Sequence, residues 1–262
     1  MKQEDPVENI CGIFLLLFKE KHDTAFGNKT SVILLTYIND MENTEVKILS
    51  VKEVTHNVRS FKIEKPAGYI YQPGQATELS LLKPGWEKEK RPFTFTSLPD
   101  ADHLEFTIKC YTDHDGVTNQ LSKVVAGDMF EIGDSWGAIE YKGEGVFIAG
   151  GAGVTPFIAI MRSLYAQNKI GNNQLIFSNK TLKDIILKNE FEKMLGANFI
   201  NIITQEITEA YHHGKVDKTF LEQNVTNFDQ PFYVCGPDVF TTNILHALKE
   251  LGAQPDSLVF EK

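Results

Sequence analysis

The sequence predicts two domains built on different grammars: an antiparallel Greek-key β-barrel, followed by an α/β domain with a doubly wound parallel sheet. Three observations predict it. From Val46 the chain alternates apolar and polar residues with period two, in short runs broken by turn residues, as half-buried antiparallel strands do. After Lys142 short apolar runs alternate with amphipathic stretches, the pattern of parallel strands joined by crossover helices. At the head of that second half stands Gly145-Val-Phe-Ile-Ala-Gly-Gly-Ala-Gly-Val-Thr-Pro-Phe157, a buried-strand run that breaks at glycines before a helix.

The expected boundaries are 1–45 for an N-terminal extension of uncertain role, 46–142 for the barrel and 143–262 for the α/β domain. A chain of 262 residues, 42% hydrophobic and 23% charged, has the length for two compact cores and the composition of an ordinary soluble protein. The formal net charge of -9 argues against generic nucleic-acid binding, which needs surplus Lys and Arg on one face. With Cys11, Cys110 and Cys235 alone and no CxxC, neither a four-cysteine iron–sulfur cluster nor a disulfide framework can be built from this chain by itself. That usage points to a reducing, cytoplasmic setting.

In the extension, the apolar runs 10–18 and 31–38 fall short of the roughly 18 to 20 residues a membrane span needs. Glu4, Asp5 and Glu8 stand where a signal peptide would carry basic residues. The segment reads as a packed or partner-contacting arm, or the natural start is Met41. Barrel strands are expected at 46–54, 58–63, 77–82, 93–97, 103–111 and 129–132, with a helical piece at 117–125. Gly133-Asp-Ser-Trp-Gly137 reads as a turn that closes this domain. Beyond it, strands are expected at 146–149, 174–177, 199–203, 231–234 and, as an edge, 258–260. Helices are expected at 157–167, 187–195, 218–224 and 239–251. His212-His213 has no metal-ligand spacing and reads as surface loop.

Two stretches carry chemistry. Gly151 and Gly153 let a ligand approach the backbone, Thr155 suits a helix cap and Pro156 its first turn, and a helix N-terminus favours phosphate. Pro156 replaces the third glycine of the usual dinucleotide fingerprint, so a tight turn without ligand also accounts for the stretch. In Arg91-Pro-Phe-Thr-Phe-Thr-Ser97, Arg91 offers a fork of donors to phosphate, Phe93 a flat face to a heterocycle and Thr94 a hydroxyl to a ring nitrogen. A plain barrel strand with Phe inside and Thr outside fits the same residues.

From Val46 onward, four motifs in order resemble the ferredoxin–NADP reductase superfamily, in particular its flavodoxin-reductase-like members: Arg91-x-Phe93-Thr94, Gly116-Val-Thr118, Gly150-Gly-x-Gly-x-Thr-Pro156 and Cys235-Gly-Pro237. The resemblance implies that Arg91 with Pro92 holds the flavin phosphates, Phe93 packs on the isoalloxazine and Thr94 faces its N5. Phe93 stands where Tyr is usual, which removes a phenol bond to the ribityl chain. It further implies a second phosphate grip at Gly116, Val117 and Thr118, and an adenine contact at Tyr111 if the flavin is FAD. Gly151, Gly153, Thr155 and Pro156 would grip the nicotinamide dinucleotide pyrophosphate. Ser178 and Lys180 stand where a NAD site often has an acidic residue, which favours the extra 2′-phosphate of NADPH over NADH.

By the same resemblance Cys235 lies beside the nicotinamide, followed by the Gly236-Pro237 turn, and Glu261 approaches the flavin, so the implied catalytic set is Thr94, Cys235 and Glu261. The implied activity is that of a flavoprotein oxidoreductase passing a hydride from NADPH or NADH to FAD, in preference to FMN, and then single electrons to a separate carrier. Flavodoxin, ferredoxin or an oxygenase component would each serve. A basic stretch at Lys83, Lys88, Lys90 and Arg91, diluted by Glu87 and Glu89, reads as carrier-docking surface or solvated loop. The alternatives are a flavin-free nicotinamide dehydrogenase and a non-catalytic flavin-binding redox sensor or electron-transfer subunit.

Overall fold

A computed structural model describes residues 43–137 and 139–260. The proposed start at Met41, Cys11 and Glu261 therefore lie outside the described residues. The first half forms β1 (Thr44–Thr55), β2 (Val58–Glu64), β3 (Ala76–Leu81), β4 (Arg91–Thr94), β5 (His103–Lys109) and β6 (Met129–Trp136). Every pairing among them is antiparallel, in the order β4-β3-β6-β1-β2-β5. Alternation has the expected result: Ile48, Phe61, Leu79, Phe106, Phe130 and Ile132 point into one core and are essentially inaccessible. The sheet curls until its edge strands β4 and β5 meet at a single bridge, Phe95 to Phe106. There Phe95 packs between Tyr71 (centroids 4.3 Å apart) and Phe106 (5.2 Å). On the β4 side of this bridge the two edges part, leaving an open seam.

Gly133-Asp-Ser-Trp-Gly137 differs from the expected turn, because β6 runs on through Trp136. The register slips between Thr77 and Leu79, and the Gly133 carbonyl accepts from both Tyr69 Oη (2.7 Å) and Thr77 Oγ1 (2.8 Å). A bulge satisfied by two hydroxyls lets the strand continue through residues that on their own signal a turn. The helical piece shrinks to α1 (Val117–Leu121), and Arg59 donates to carbonyls at and just past its end: Leu121 at 3.2 Å, Ser122 at 2.6 Å and Val124 at 3.0 Å.

The second half contributes β7 (Val146–Gly150), α2 (Thr155–Ala166), β8 (Gln174–Asn179), α3 (Lys188–Leu195), β9 (Phe199–Ile203), β10 (His212–His213), α4 (Lys218–Asn224), β11 (Phe232–Cys235), α5 (Asp238–Glu250) and β12 (Leu258–Phe260). All pairings are parallel, in the order β10-β9-β8-β7-β11-β12. α2 and α3 cover one face, where Phe157 and Phe191 pack on Phe147 and Phe177. α4 and α5 cover the other, where Phe220 and Leu248 pack on Ile148 and Val234. Coverage of both faces explains why β7 and β11 read as continuous apolar runs instead of alternating ones. His212 and His213, expected as loop, make a two-residue parallel bridge to Ile202 and Ile203.

Strand order reverses at β7: β8 and β9 lie to one side, β11 and β12 to the other. The carboxyl ends of β7 and β11 thus flank a topological switch point, where open α/β sheets leave a crevice for ligands.

Candidate active site between the barrel seam and the parallel sheet

The open seam of the barrel and the switch point of the parallel sheet face one another across a cleft of about 460 Å³. From the barrel come Ala76, Pro92, Phe93 and Thr94 on one side of the seam and Thr107, Ile108, Lys109 and Tyr111 on the other, with Thr118. From the parallel sheet come Gly150, Ala152, Gly153, Thr155 and Pro156 after β7, and Cys235, Gly236 and Pro237 after β11. Eleven of the residues singled out in the sequence therefore meet here: Pro92, Phe93, Thr94, Tyr111, Thr118, Gly153, Thr155, Pro156, Cys235, Gly236 and Pro237.

Thr94 and Ala76 are cross-strand partners and share a face, so a small side chain lies beside the Thr94 hydroxyl. Tyr111 is 45% exposed, which leaves its ring open to a ligand, and Lys109 Nζ stands 5.8 Å from the ring centre. Its backbone N–H donates to Thr118 Oγ1 at 3.4 Å.

The glycine loop is a 3₁₀ turn, Gly151–Val154, ahead of α2. Val154 takes the cap position, so Thr155 is the first residue of the helix and its hydroxyl turns back to the Ala152 carbonyl at 3.0 Å. Gly151 has φ +55, a left-handed conformation suited to glycine. At Gly153 a Cβ would lie 2.3 Å from the Cys235 carbonyl oxygen, and at Gly236 2.7 Å from the Phe240 ring. Only bare backbone lets the two loops come this close, so the amides of both strands' ends open onto one hollow.

Arg91, Gly116, Val117, Gly151, Ser178 and Lys180 do not line the cleft. The Arg91 guanidinium bonds to the Lys90 carbonyl at 2.6 Å and pairs with Glu89 at 3.3 Å on the surface. Gly116 precedes α1 in extended conformation, and the Val117 side chain is packed in the barrel core. Ser178, next to last in β8, pairs with Gly150, within a strand's width of the loop. Lys180 is exposed just beyond it, near the Asp113 carboxyl of the barrel, which the His114 and backbone hydrogen bonds hold below its ordinary range with only a lesser contribution from the Lys180 charge. Ala76, Thr107, Ile108, Lys109 and Ala152 line the cleft without any signal in the sequence.

Two family models match in tandem. One, described as an FAD-binding domain, covers residues 43–162, and the other, an oxidoreductase NAD-binding domain, covers 147–245. The chain therefore joins an FAD-binding domain to an oxidoreductase NAD-binding domain. The same fold is found in a ferredoxin NADP+ reductase from Neisseria gonorrhoeae, solved with FAD and NADP, at a TM-score of 0.73 and 21% identity over 84% of this chain and 98% of that one. Among curated relatives, a flavohemoprotein of Bacillus subtilis is 24% identical over 73% of this chain and 51% of its own length. A glycine betaine monooxygenase reductase subunit of Chromohalobacter salexigens is 27% identical over 83% of this chain and 62% of its own. The chain thus spans between half and about three fifths of these two relatives. The two matched domains make FAD and a nicotinamide dinucleotide the cofactors. The cleft fits them chemically: a seam between strand edges admits a flat ring, and side-chain-free loop backbone at a switch point suits a pyrophosphate. Among the described residues no helix is long and apolar enough to cross a membrane.

Proposed function

We propose that the protein is an NAD(P)H-dependent FAD reductase that delivers single electrons to an acceptor outside these 262 residues. One observation carries the reading: Phe93 and Thr94 of the barrel line the same cleft as the Gly153–Pro156 loop and Cys235–Pro237. Flavin, when bound, supplies the means to take an electron pair from a reduced nicotinamide and give it up one electron at a time.

In this reading the flavin domain is 46–142 and the nicotinamide domain 143–262. Phe93 gives a flat apolar face to the ring, and the Thr94 hydroxyl is the donor at its edge. Thr107 to Lys109 close the other side of the slot. Arg91, at the outer end of the strand that carries Phe93, swings from Glu89 to the flavin phosphates, with Gly116 to Thr118 as a second grip and Tyr111 against the adenine. Gly151, Gly153, Thr155 and Pro156 present amides and a helix start to the dinucleotide pyrophosphate, and the Cys235–Pro237 end of β11 walls the nicotinamide. Ser178 and Lys180 take a 2′-phosphate, which makes NADPH the preferred donor. Reductase subunits of oxygenases among the relatives support an oxygenase component as the acceptor, ahead of flavodoxin or ferredoxin.

The test is anaerobic mixing of protein purified after incubation with excess FAD, unbound flavin removed, with NADPH or NADH, followed by visible absorbance. Prompt bleaching, faster at low NADPH than at low NADH, is expected. A colourless protein would instead mark a flavin-free dehydrogenase. A yellow protein that keeps its colour with both nucleotides would mark a binding subunit or sensor.

A further inference from the structure

Arg162 lies on α2, seven residues past Thr155, in neither motif and outside the cleft. Its guanidinium is largely enclosed and ties α2 to α3, to β5 and to the stretch just after β4. Nη1 donates to the Thr96 carbonyl at 2.6 Å and to Glu105 Oε1 at 2.7 Å, both in the barrel. Nη2 and Nε donate to the two oxygens of Glu190 on α3, at 2.9 Å and 2.5 Å. Thr96 Oγ1 in turn donates to Glu105 at 2.8 Å and lies 3.1 Å from the hydroxyl of Thr107, which borders the cleft. Burial alone would lower the Arg162 pKa, yet the bonds to Glu190 and the charges of both carboxylates hold it above its ordinary value. Burial likewise pushes Glu105 up, and Arg162 outweighs it to leave the carboxyl below its usual range.

We propose that Arg162 is a positioning residue: it fixes the distance between the strand that faces the flavin and the helix whose start grips the nicotinamide nucleotide. This rests on the function proposed above. α2 runs about 10 Å from Thr155 to Arg162, at about 1.5 Å per residue. Thr96 is two residues, about 7 Å, from Thr94. A guanidinium bonded at both ends of that short path leaves the two grips little freedom to slide. An enclosed ion pair is weak evidence for stability, since an apolar cluster would serve as well, so its role here follows from the partners it joins. His56, between β1 and β2, also reaches the parallel-sheet half, 3.7 Å from Asp184, but is itself well exposed.

Arg162→Lys keeps the charge and gives up the fork. Misplacement near 1 Å can cost about a hundredfold in a reaction that depends on aligned partners. Two measurements on FAD-loaded protein test the idea. Bleaching per bound flavin at saturating NADPH should slow more than fivefold, with the half-saturating NADPH concentration changed less than threefold. Spin labels at Glu64→Cys and Glu222→Cys, with Cys11→Ser, should show a broader inter-label distance distribution without nucleotide. A purely structural role would lower thermal stability and flavin content but leave the rate per bound flavin unchanged. Slowing of fivefold or less, or an unaltered distance distribution, overturns the proposal. If the lysine variant does not fold, Glu190→Ala, which frees one edge of the guanidinium, should slow bleaching more than twofold, and a smaller effect overturns it. If wild type fails to bleach with either nucleotide, the functional reading fails and the distance distribution alone judges Arg162.

Discussion

Gly153→Ala tests the close approach of the two loops with a single methyl group. The added Cβ would sit 2.3 Å from the Cys235 carbonyl oxygen and 2.6 Å from the Gly236 nitrogen, all backbone atoms that have no rotamer to escape into. A relaxed contact needs about 3.4 Å, so the ends of β7 and β11 must part by about 1 Å. Overpacking of this kind costs about 1–3 kcal/mol of stability. Drawing the loop amides back by a similar distance should weaken NADP+ binding by about 1.4 kcal/mol or more, a tenfold loss. Gly151→Ala is the comparison: nothing lies within 4 Å of its Cβ, and only its φ of +55 resists, at about 1–2 kcal/mol. Urea unfolding and calorimetric titration with NADP+ give both quantities. Flavin content should stay at one per chain in either variant. A Gly153→Ala protein with unaltered stability and NADP+ affinity would refute the argument that bare backbone forms this hollow.

Three further outcomes are expected. Arg91→Ala should release FAD while β7 to β12 remain folded, because Arg91 is bonded at the barrel surface to the Lys90 carbonyl and Glu89; flavin content after gel filtration, beside NADP+ affinity, checks it. Lys180→Ala should raise the half-saturating NADPH concentration about tenfold and leave that of NADH unchanged, as measured by bleaching kinetics. Glu105 has a folded pKa below its unfolded value of about 4.5, so its stabilisation is complete above that pH and is lost as pH falls through the folded value. Denaturant midpoints between pH 6 and pH 3 should therefore fall less steeply for Glu105→Gln than for wild type.

Elements bounded by apolar runs and turn residues were legible in the sequence. β9 and β12 fall on the expected residues because each is a short buried run with polar neighbours. β6 was legible only as far as Ile132, because its continuation through the bulge at Gly133 depends on hydroxyls from Tyr69 and Thr77, far away in sequence. The same holds for the cap of α2: a 3₁₀ turn intervenes, and Thr155 spends its hydroxyl on that turn. Motif residues at strand and helix ends could be read because backbone chemistry demands particular residue types there. Ala76, Thr107 and Ile108 carry no such demand and reach the cleft only because the sheet curls. Arg162 reads as one more polar position on a helix until Thr96 and Glu105 are brought against it.

The single bridge between Phe95 and Phe106 has a consequence for how the barrel survives its own gap. An unzipped edge is a template on which a foreign strand can add, and a lengthened ladder there would seed aggregation. β4 has only four residues, and its second is Pro92, which has no N–H to donate. The lip that must stay open for a planar guest is thus the one least able to accept an intruding chain.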